Sequence, residues 1–337
     1  ELTKDIDSKN TYGIRYLIFR RKNNVFYSLF LNFKKINKLL KENKSSKVKN
    51  FVFYDYEYFP IYLISLFIIK INGYYNLSIY HECQLHIKNK NLLKKIFGFL
   101  YDYSFGYFSD AILPISSVLE KRALKFNKPS FRLPIISNFS RPVTNTNNVE
   151  KDYFAYVVNA DYTKAIDFVI NSFKLYYSKN GKYSLKLILH GNKTSIELIN
   201  RFLFDNNLSE KIEILVNLSE KELNTLLSNS KANIIPLFKD NLQDHSRFSQ
   251  KIAEYLSTKR PIITNAVGEI NFYFSNNINA IILSDNKIIT FSNLLIQLDN
   301  SSLPLDVIGE NGYILGNKSF CHMKVTGDLI SFLKKIK

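Results

Sequence analysis

The 337-residue chain carries 46 Lys and Arg against 29 Asp and Glu, a formal net charge of +17, and 46% of it is apolar. That is enough apolar material for two α/β cores, which a chain of this length builds more readily than one oversized core. Cys83 and Cys321 are the only cysteines and form no CxxC or Cys/His cluster, so a disulfide scaffold and a structural zinc site are excluded and a reducing cytoplasm is expected. The basic excess is 37 Lys against 9 Arg, beside abundant Asn, Ile, Tyr and Phe and no Trp. AT-rich coding imposes that composition, so the charge reads as solvated surface before it reads as a polyanion-binding face. No nucleic-acid recognition motif accompanies it, and nucleic acid is not an expected partner.

The alternation of strand and helix starts with a strand at Ile14 to Phe19 and a helix through Phe30 to Leu40. A strand from Phe51 to Tyr54 ends in Asp55 and Glu57. The longest apolar run, Ile61 to Ile69, is about nine residues against the roughly 20 of a membrane span, so Ile61 to Ile71 reads as a buried helix. A strand from Leu77 to Tyr80 ends in His81 and Glu82. A helix over Leu92 to Phe105, a strand over Ala111 to Ile115, a helix over Ser117 to Phe126 and a strand over Phe131 to Leu133 complete this half. The polar stretch Ser140 to Glu150 reads as a linker.

After it the alternation restarts. Strands are expected at Tyr153 to Val158, Leu185 to His190, Ile212 to Leu215, Ala232 to Pro236, Pro261 to Thr264 and Ala280 to Leu283. Helices are expected at Ala165 to Tyr177, Ser195 to Asn206, Glu220 to Ser228, Phe248 to Ser257 and Ile288 to Leu298. The expected architecture is α/β, two Rossmann-like doubly wound domains over residues 1–140 and 141–320. A C-terminal helix in 321–337 packs back toward the first, and a ligand cleft lies between the domains.

Several blocks of the second half stand in a recognisable order. They are Tyr156-Val157-Val158-Asn159 with Lys164-Ala165, Leu187 to Gly191, Ala232 to Pro236, and Arg247-Phe248-Ser249-Gln250-Lys251-Ile252-Ala253-Glu254-Tyr255-Leu256. Lys259 to Thr264 and Val267-Gly268-Glu269 follow. Together Tyr153 to Asn311 resembles the transferase domain of glycosyltransferase family 4, the retaining GT-B group. The resemblance implies a nucleotide-sugar donor bound by Asn159, Lys164, Gly191, Arg247, Phe248, Lys251, Glu254, Gly268 and Glu269. Elementary chemistry agrees at several of these. Lys164 opens a helix directly after a strand, where ammonium and helix N-terminus can face one phosphate. Lys251 and Glu254, three apart, share a helix face, and a carboxylate at Glu254 suits a ribose diol. Gly268 lets backbone approach a ligand closely. The sequence departs from the family at Ser246, where the first of two paired glutamates would fall. It departs also at Val158-Asn159 in place of a Gly-Arg turn, at Ala165 and at Ser249.

The first half is similar to the acceptor domain of the same family through Tyr80-His81-Glu82, Asp110 to Ser116 and Pro134 to Asn138. His81 and Glu82 are thereby implied at the reacting sugar, with Lys251 on the leaving diphosphate; His86 and His245 are rivals to His81. Nothing upstream of Ile14 matches the family's first strand and Gly-rich turn. The chain opens on Glu1 with Met323 its only methionine, so the natural start is expected upstream, cut away or lost. The expected reaction is metal-independent, retaining sugar transfer to a glycan or lipid-linked acceptor in bacterial surface polysaccharide synthesis. Fixed cations and helix N-termini would then stabilise the departing charge, with no cofactor. A degenerate sugar-nucleotide binder and a GT-B epimerase are the alternatives. The expected location is the cytoplasm, with electrostatic contact to anionic inner-membrane lipid through Arg20, Arg21, Lys34, Lys35, Lys94 and Lys95.

Overall fold

The computed structural model describes residues 9–11, 14–16, 25–46, 49–55, 59–87, 91–140, 152–300 and 303–336, with side chains from residue 33 onward. Residues 17–19 of the first expected strand, Arg20, Arg21, Glu57 and residues 141–150 of the expected linker lie outside the described residues. The chain divides into two compact units. One comprises Glu1–Tyr80, Ile87–Leu113 and Ala123–Ser130; the other comprises His81–His86, Pro114–Arg122 and Phe131–Lys337.

In the first unit β1 (Lys9–Thr11) and β2 (Ile14–Tyr16) form an antiparallel hairpin. Residues 14–16 of the strand expected at Ile14 pair with β1 and, among the described residues, not with the parallel sheet; the two-residue connection permits only the antiparallel pairing. Then come α1 (Val25–Asn43), β3 (Phe51–Tyr54), α2 (Phe59–Ile71), β4 (Tyr75–Tyr80), α3 (Leu92–Phe108) and β5 (Ala111–Pro114). The sheet runs β3-β4-β5, and β3 and β4 are parallel. Tyr62, Leu77, Tyr80, Tyr101 and Phe105 are buried at its centre. Tyr101 stacks on Phe105 at 4.9 Å, and the Tyr62 hydroxyl donates to the Phe105 carbonyl at 3.2 Å. The Asp110 carboxylate accepts from the Asn76 amide at 2.7 Å and pairs with Lys70 at 2.6 Å, fixing the start of β5 to β4.

Helix α4 (Ser117–Ala123) continues into a 3-10 turn at Leu124–Phe126, after which the chain forms no regular element as far as Ser140. Phe131 to Leu133, expected as a strand, forms none. Ile112 bridges Ser130 alone, and the Leu133 amide donates to the Pro114 carbonyl at 2.9 Å. Pro129 and Pro134 flank the segment without an N–H to extend a ladder.

The second unit continues as β6 (Tyr153–Asn159), α5 (Thr163–Ser178), β7 (Ser184–His190), α6 (Lys193–Asp205), β8 (Ile212–Val216) and α7 (Glu220–Ser228). Next are β9 (Asn233–Ile234), α8 (Leu242–Ser246), α9 (Gln250–Leu256), β10 (Ile262–Asn265), α10 (Ile270–Tyr273) and β11 (Ile281–Leu283). The helices α11 (Ile288–Asn300), α12 (Leu305–Phe320) and α13 (His322–Lys335) end it. Its six strands are all parallel, in the order β8-β7-β6-β9-β10-β11. Both faces are covered, and β6 shows why its sequence is apolar throughout. Phe154, Tyr156 and Val158 enter the core beneath α5 and α11, and Tyr153, Ala155 and Val157 enter the one beneath α9. Strand order reverses between β6 and β9, which leaves a crevice at their carboxyl ends.

Candidate functional site

The turn leaving β6 is held by its own side chain. Asn159 Oδ1 accepts from the Asp161 amide at 2.9 Å, its carbonyl accepts from Tyr162 at 3.0 Å, and the Ala160 amide donates to the His190 carbonyl at 2.8 Å. Helix α5 therefore starts at the crevice with Lys164 in its first turn. The chain leaving β9 bends at Pro236 and returns through α8 and α9, which bring Arg247 and Lys251 to the same place. A cavity of about 120 Å³ lies between them, lined by Tyr156 to Val158, Tyr162, Lys164, Ala165, Ile235 to Phe238, Asn241, Asp244, Arg247, Ser249 and Lys251.

Three cations of the sequence reading thus meet at one cavity, and they differ in what holds them. Lys164 is exposed; its Nζ pairs with Asp240 at 2.6 Å and sits 4.6 Å from the Phe238 ring centre. Arg247 is clamped. Its Nη1 donates to the Tyr162 hydroxyl at 3.1 Å, its Nη2 donates to Asp244 Oδ1 at 3.2 Å, and the guanidinium lies 5.3 Å from the Tyr162 ring centre. Burial opposes the Arg247 charge, yet Tyr162, Asp244 and Glu82 hold its pKa above the usual value. Asp244 is itself buried and spends its other oxygen on the Phe238 amide at 3.0 Å. The Lys251 ammonium makes no hydrogen bond or ion pair among the described residues. Burial first, and Arg247 second, push its pKa down to about 8, against the opposing pull of Glu254. A half-buried ammonium beside a guanidinium, with no bonded carboxylate, is an anion site in waiting.

A second cavity, about 600 Å³, opens at the carboxyl ends of β7 and β8 and is lined by His190, Gly191, Lys193, Asn217 and Leu218 among others. Burial and then the Lys251 charge lower the His190 pKa, so the two cavities share one electrostatic neighbourhood. Gly191 takes φ +112° there, and a Cβ would meet Asn159 Oδ1 at 2.8 Å. A third cavity, about 410 Å³, is lined by Glu254 with Gln250, Glu220, Asn224, Asn138 and His322. Lys251 and Glu254 therefore share α9 but face different cavities.

Other expected site residues are placed elsewhere. Phe248 is core, stacked on Tyr273 at 5.7 Å and edge-on to Phe320. Gly268, at φ +55°, is close to protein rather than to a lining surface; a Cβ would lie 2.9 Å from the Asp244 carbonyl and 3.0 Å from that of His245. Glu269 is buried, and its Oε1 accepts from the Ser117 amide at 2.7 Å at the start of α4. His81 is half-buried and does not line the β6–β9 cavity. Glu82 accepts from the Gln243 side chain, and His86 Nδ1 lies 3.0 Å from Ser246 Oγ, so the segment around His81 is tied to α8. His245 Nε2 bonds the Lys239 carbonyl at 2.7 Å. Tyr162 and Asp244 line the cavity and Asp240 pairs with Lys164 beside it; none of the three was expected there. Asp244, three residues before Arg247, was visible as a spacing.

The family model for glycosyl transferases group 1 matches residues 140–314. No curated protein matches the sequence. Among solved structures, sucrose-phosphate synthase from Thermosynechococcus elongatus aligns with a TM-score of 0.76 at 13% identity, over 98% of this chain and 85% of that one. The UDP complex of Alr3699/HepE from Anabaena aligns at 0.65 and 8% identity, over 91% of this chain and 82% of that one. The pneumococcal O-GlcNAc transferase GtfA, with UDP and GlcNAc, aligns at 0.65 and 13% identity; this chain covers 59% of its length and is itself covered to 89%. The fold is the mixed α/β fold of GT-B glycosyltransferases, with parallel sheets.

Proposed function

The chain belongs to the glycosyl transferases group 1 family, and from that premise we propose that it moves a sugar, with retention, from a nucleoside-diphosphate donor to a glycan or lipid-linked acceptor in bacterial surface polysaccharide synthesis. The observation that carries the donor reading is Lys251, a half-buried ammonium beside Arg247 at the strand-order reversal. A diphosphate placed there meets Arg247, Lys251 and, after exchange of its Asp240 partner, Lys164. The glycosyl–phosphate bond breaks as negative charge builds on the leaving phosphate oxygen, and those cations stabilise it. The acceptor hydroxyl bonds to the anomeric carbon on the face the phosphate leaves, and its proton passes to the departing oxygen. This assigns the charge stabilisation to side chains, so the reading is metal-independent. His81 and Glu82 are proposed to orient the reacting sugar, and Glu254 the ribose. The UDP in the HepE and GtfA complexes supports UDP as the nucleotide to try first.

Release of UDP or GDP from a panel of nucleotide sugars, with and without a chelator, tests this reading. Chelator-resistant release, with a product of the donor's anomeric configuration, is the expected outcome; release abolished by chelation contradicts metal independence. A second reading, sugar-nucleotide binding without turnover, draws on Ser246, whose buried hydroxyl is engaged by His86 where the resembled family carries a glutamate. Nucleotide binding with no release from any donor would favour it.

A further inference from the structure

Helix α3 buries Gly98, Tyr101, Asp102, Phe105 and Gly106 against the first unit. Its other side should then be polar, as on an ordinary surface helix. Instead Leu92, Ile96, Phe99, Leu100, Tyr103 and Tyr107 are all exposed, from 39% at Leu100 to 73% at Leu92. Their spacing of four, three, one, three and four residues places them on one stripe along the helix. Scattered exposed apolar residues need no account, but a stripe running the length of a 17-residue helix does. Leu124, 68% exposed, and Lys125, whose Nζ lies 4.4 Å from the Tyr103 ring centre, extend the same patch.

We propose that this stripe is a docking face for the surface of an anionic lipid bilayer, with α3 lying in the plane of the headgroups. The proposal rests on the reading of a transferase with a lipid-linked acceptor. Three observations select lipid as the occupant. Between Glu82 and Asp102 the sequence carries Lys88, Lys90, Lys94 and Lys95 and no carboxylate, and Asp102 is buried. Lys94 and Lys95 stand at the start of α3, where the helix dipole favours acidic residues, so they suit an external anionic surface rather than the helix. The stripe mixes Leu and Ile with Phe and Tyr, side chains that seat in the interfacial layer, and among the described residues no helix is long and apolar enough to cross a membrane. A second copy of the chain is the poorer occupant, because it would bring the same lysines and the same +17 charge against them.

Flotation of the full chain with phosphatidylglycerol–phosphatidylcholine vesicles tests the proposal, beside Ile96→Asp/Phe99→Asp and Lys94→Ala/Lys95→Ala. All of these positions are exposed, and thermal unfolding with UDP titration checks that each variant is folded. The wild type floats with the anionic vesicles and keeps part of its binding at high salt. The apolar variant loses roughly tenfold or more of the bound fraction, since two inserted side chains are removed. The lysine variant loses several-fold at low salt and little at high salt. Equal flotation of wild type and apolar variant overturns the proposal, and so does wild-type binding that vanishes completely at high salt. A wild-type dimer that Ile96→Asp/Phe99→Asp converts to monomer also overturns it, assigning the face to a second copy. Flotation retained in a chain that releases no nucleotide would sink the transferase reading and leave the docking face standing.

Discussion

Lys251 loses part of its proton affinity to burial and to Arg247, and a bound diphosphate would restore it. Its folded pKa, about 8, lies below the ordinary 10.5. Between those values the unfolded chain holds more protons than the folded one, so stability rises as pH climbs from about 8 toward 10.5. Chemical denaturation across that window should show the rise in the wild type and its loss in Lys251→Met; parallel curves would contradict the placement. Binding has the opposite sign. The anion needs the protonated lysine, so UDP affinity should fall above about pH 8 in the wild type and stay flatter in the variant. Tyr162 and Asp244 both hold Arg247, and Asp244 also holds the Phe238 amide. Tyr162→Phe keeps the ring and removes one bond, and should weaken UDP binding less than tenfold. Asp244→Ala strips both Arg247 and the Phe238 amide of a buried partner and should destabilise the fold by about 1–3 kcal/mol. An unchanged Tm would mean that water replaces the carboxylate.

Among the elements, α8 is held in place by a glycine as much as by its own five residues. At Gly268 the backbone is left-handed and meets the Asp244 and His245 carbonyls so closely that a methyl group does not fit. Gly268→Ala is expected to cost about 1–3 kcal/mol and to weaken UDP binding by moving Asp244 and Arg247. Loss of stability with unchanged binding would separate α8 from the site. Local signals made several boundaries legible in the sequence. Glu220 to Ser228 was expected with the bounds observed, and Ser219 and Glu222 form a reciprocal capping box at its start. The β6 strand was legible because apolar residues run unbroken from Tyr153 to Val158, and β7 because Leu185, Leu187, Ile188 and Leu189 outweigh Lys186. Phe131-Arg132-Leu133 alternates apolar and charged residues as a strand does, but its flanking prolines decide against a ladder. Helix α8 was missed because five residues carry no periodicity; only Asn241, which accepts from the Gln243 amide, marks its start. The lining of the β6–β9 cavity was legible where a motif fixed position, at Lys164, Arg247 and Lys251. It was illegible where tertiary packing decides, as at Phe248 and Glu269, which are consumed by the core and by the start of α4. Lys259 takes φ +59°, a left-handed conformation that its residue type does not announce.

Across the whole molecule, two groups of cations stand out from the +17 charge. In the second unit three cations converge on the reversal of strand order, and in the first unit lysines stand at the start of an exposed apolar helix. The first arrangement suits a diphosphate and the second a lipid surface, and each is tested without the other. The central claim is the diphosphate site, and calorimetric titration of the full chain with UDP and GDP, beside Lys251→Ala, tests it most directly. One nucleotide should bind, and the variant should bind it roughly ten to a hundredfold more weakly, as expected for losing a charge-assisted contact. Equal affinity in wild type and variant would contradict the account, placing any nucleotide away from Lys251.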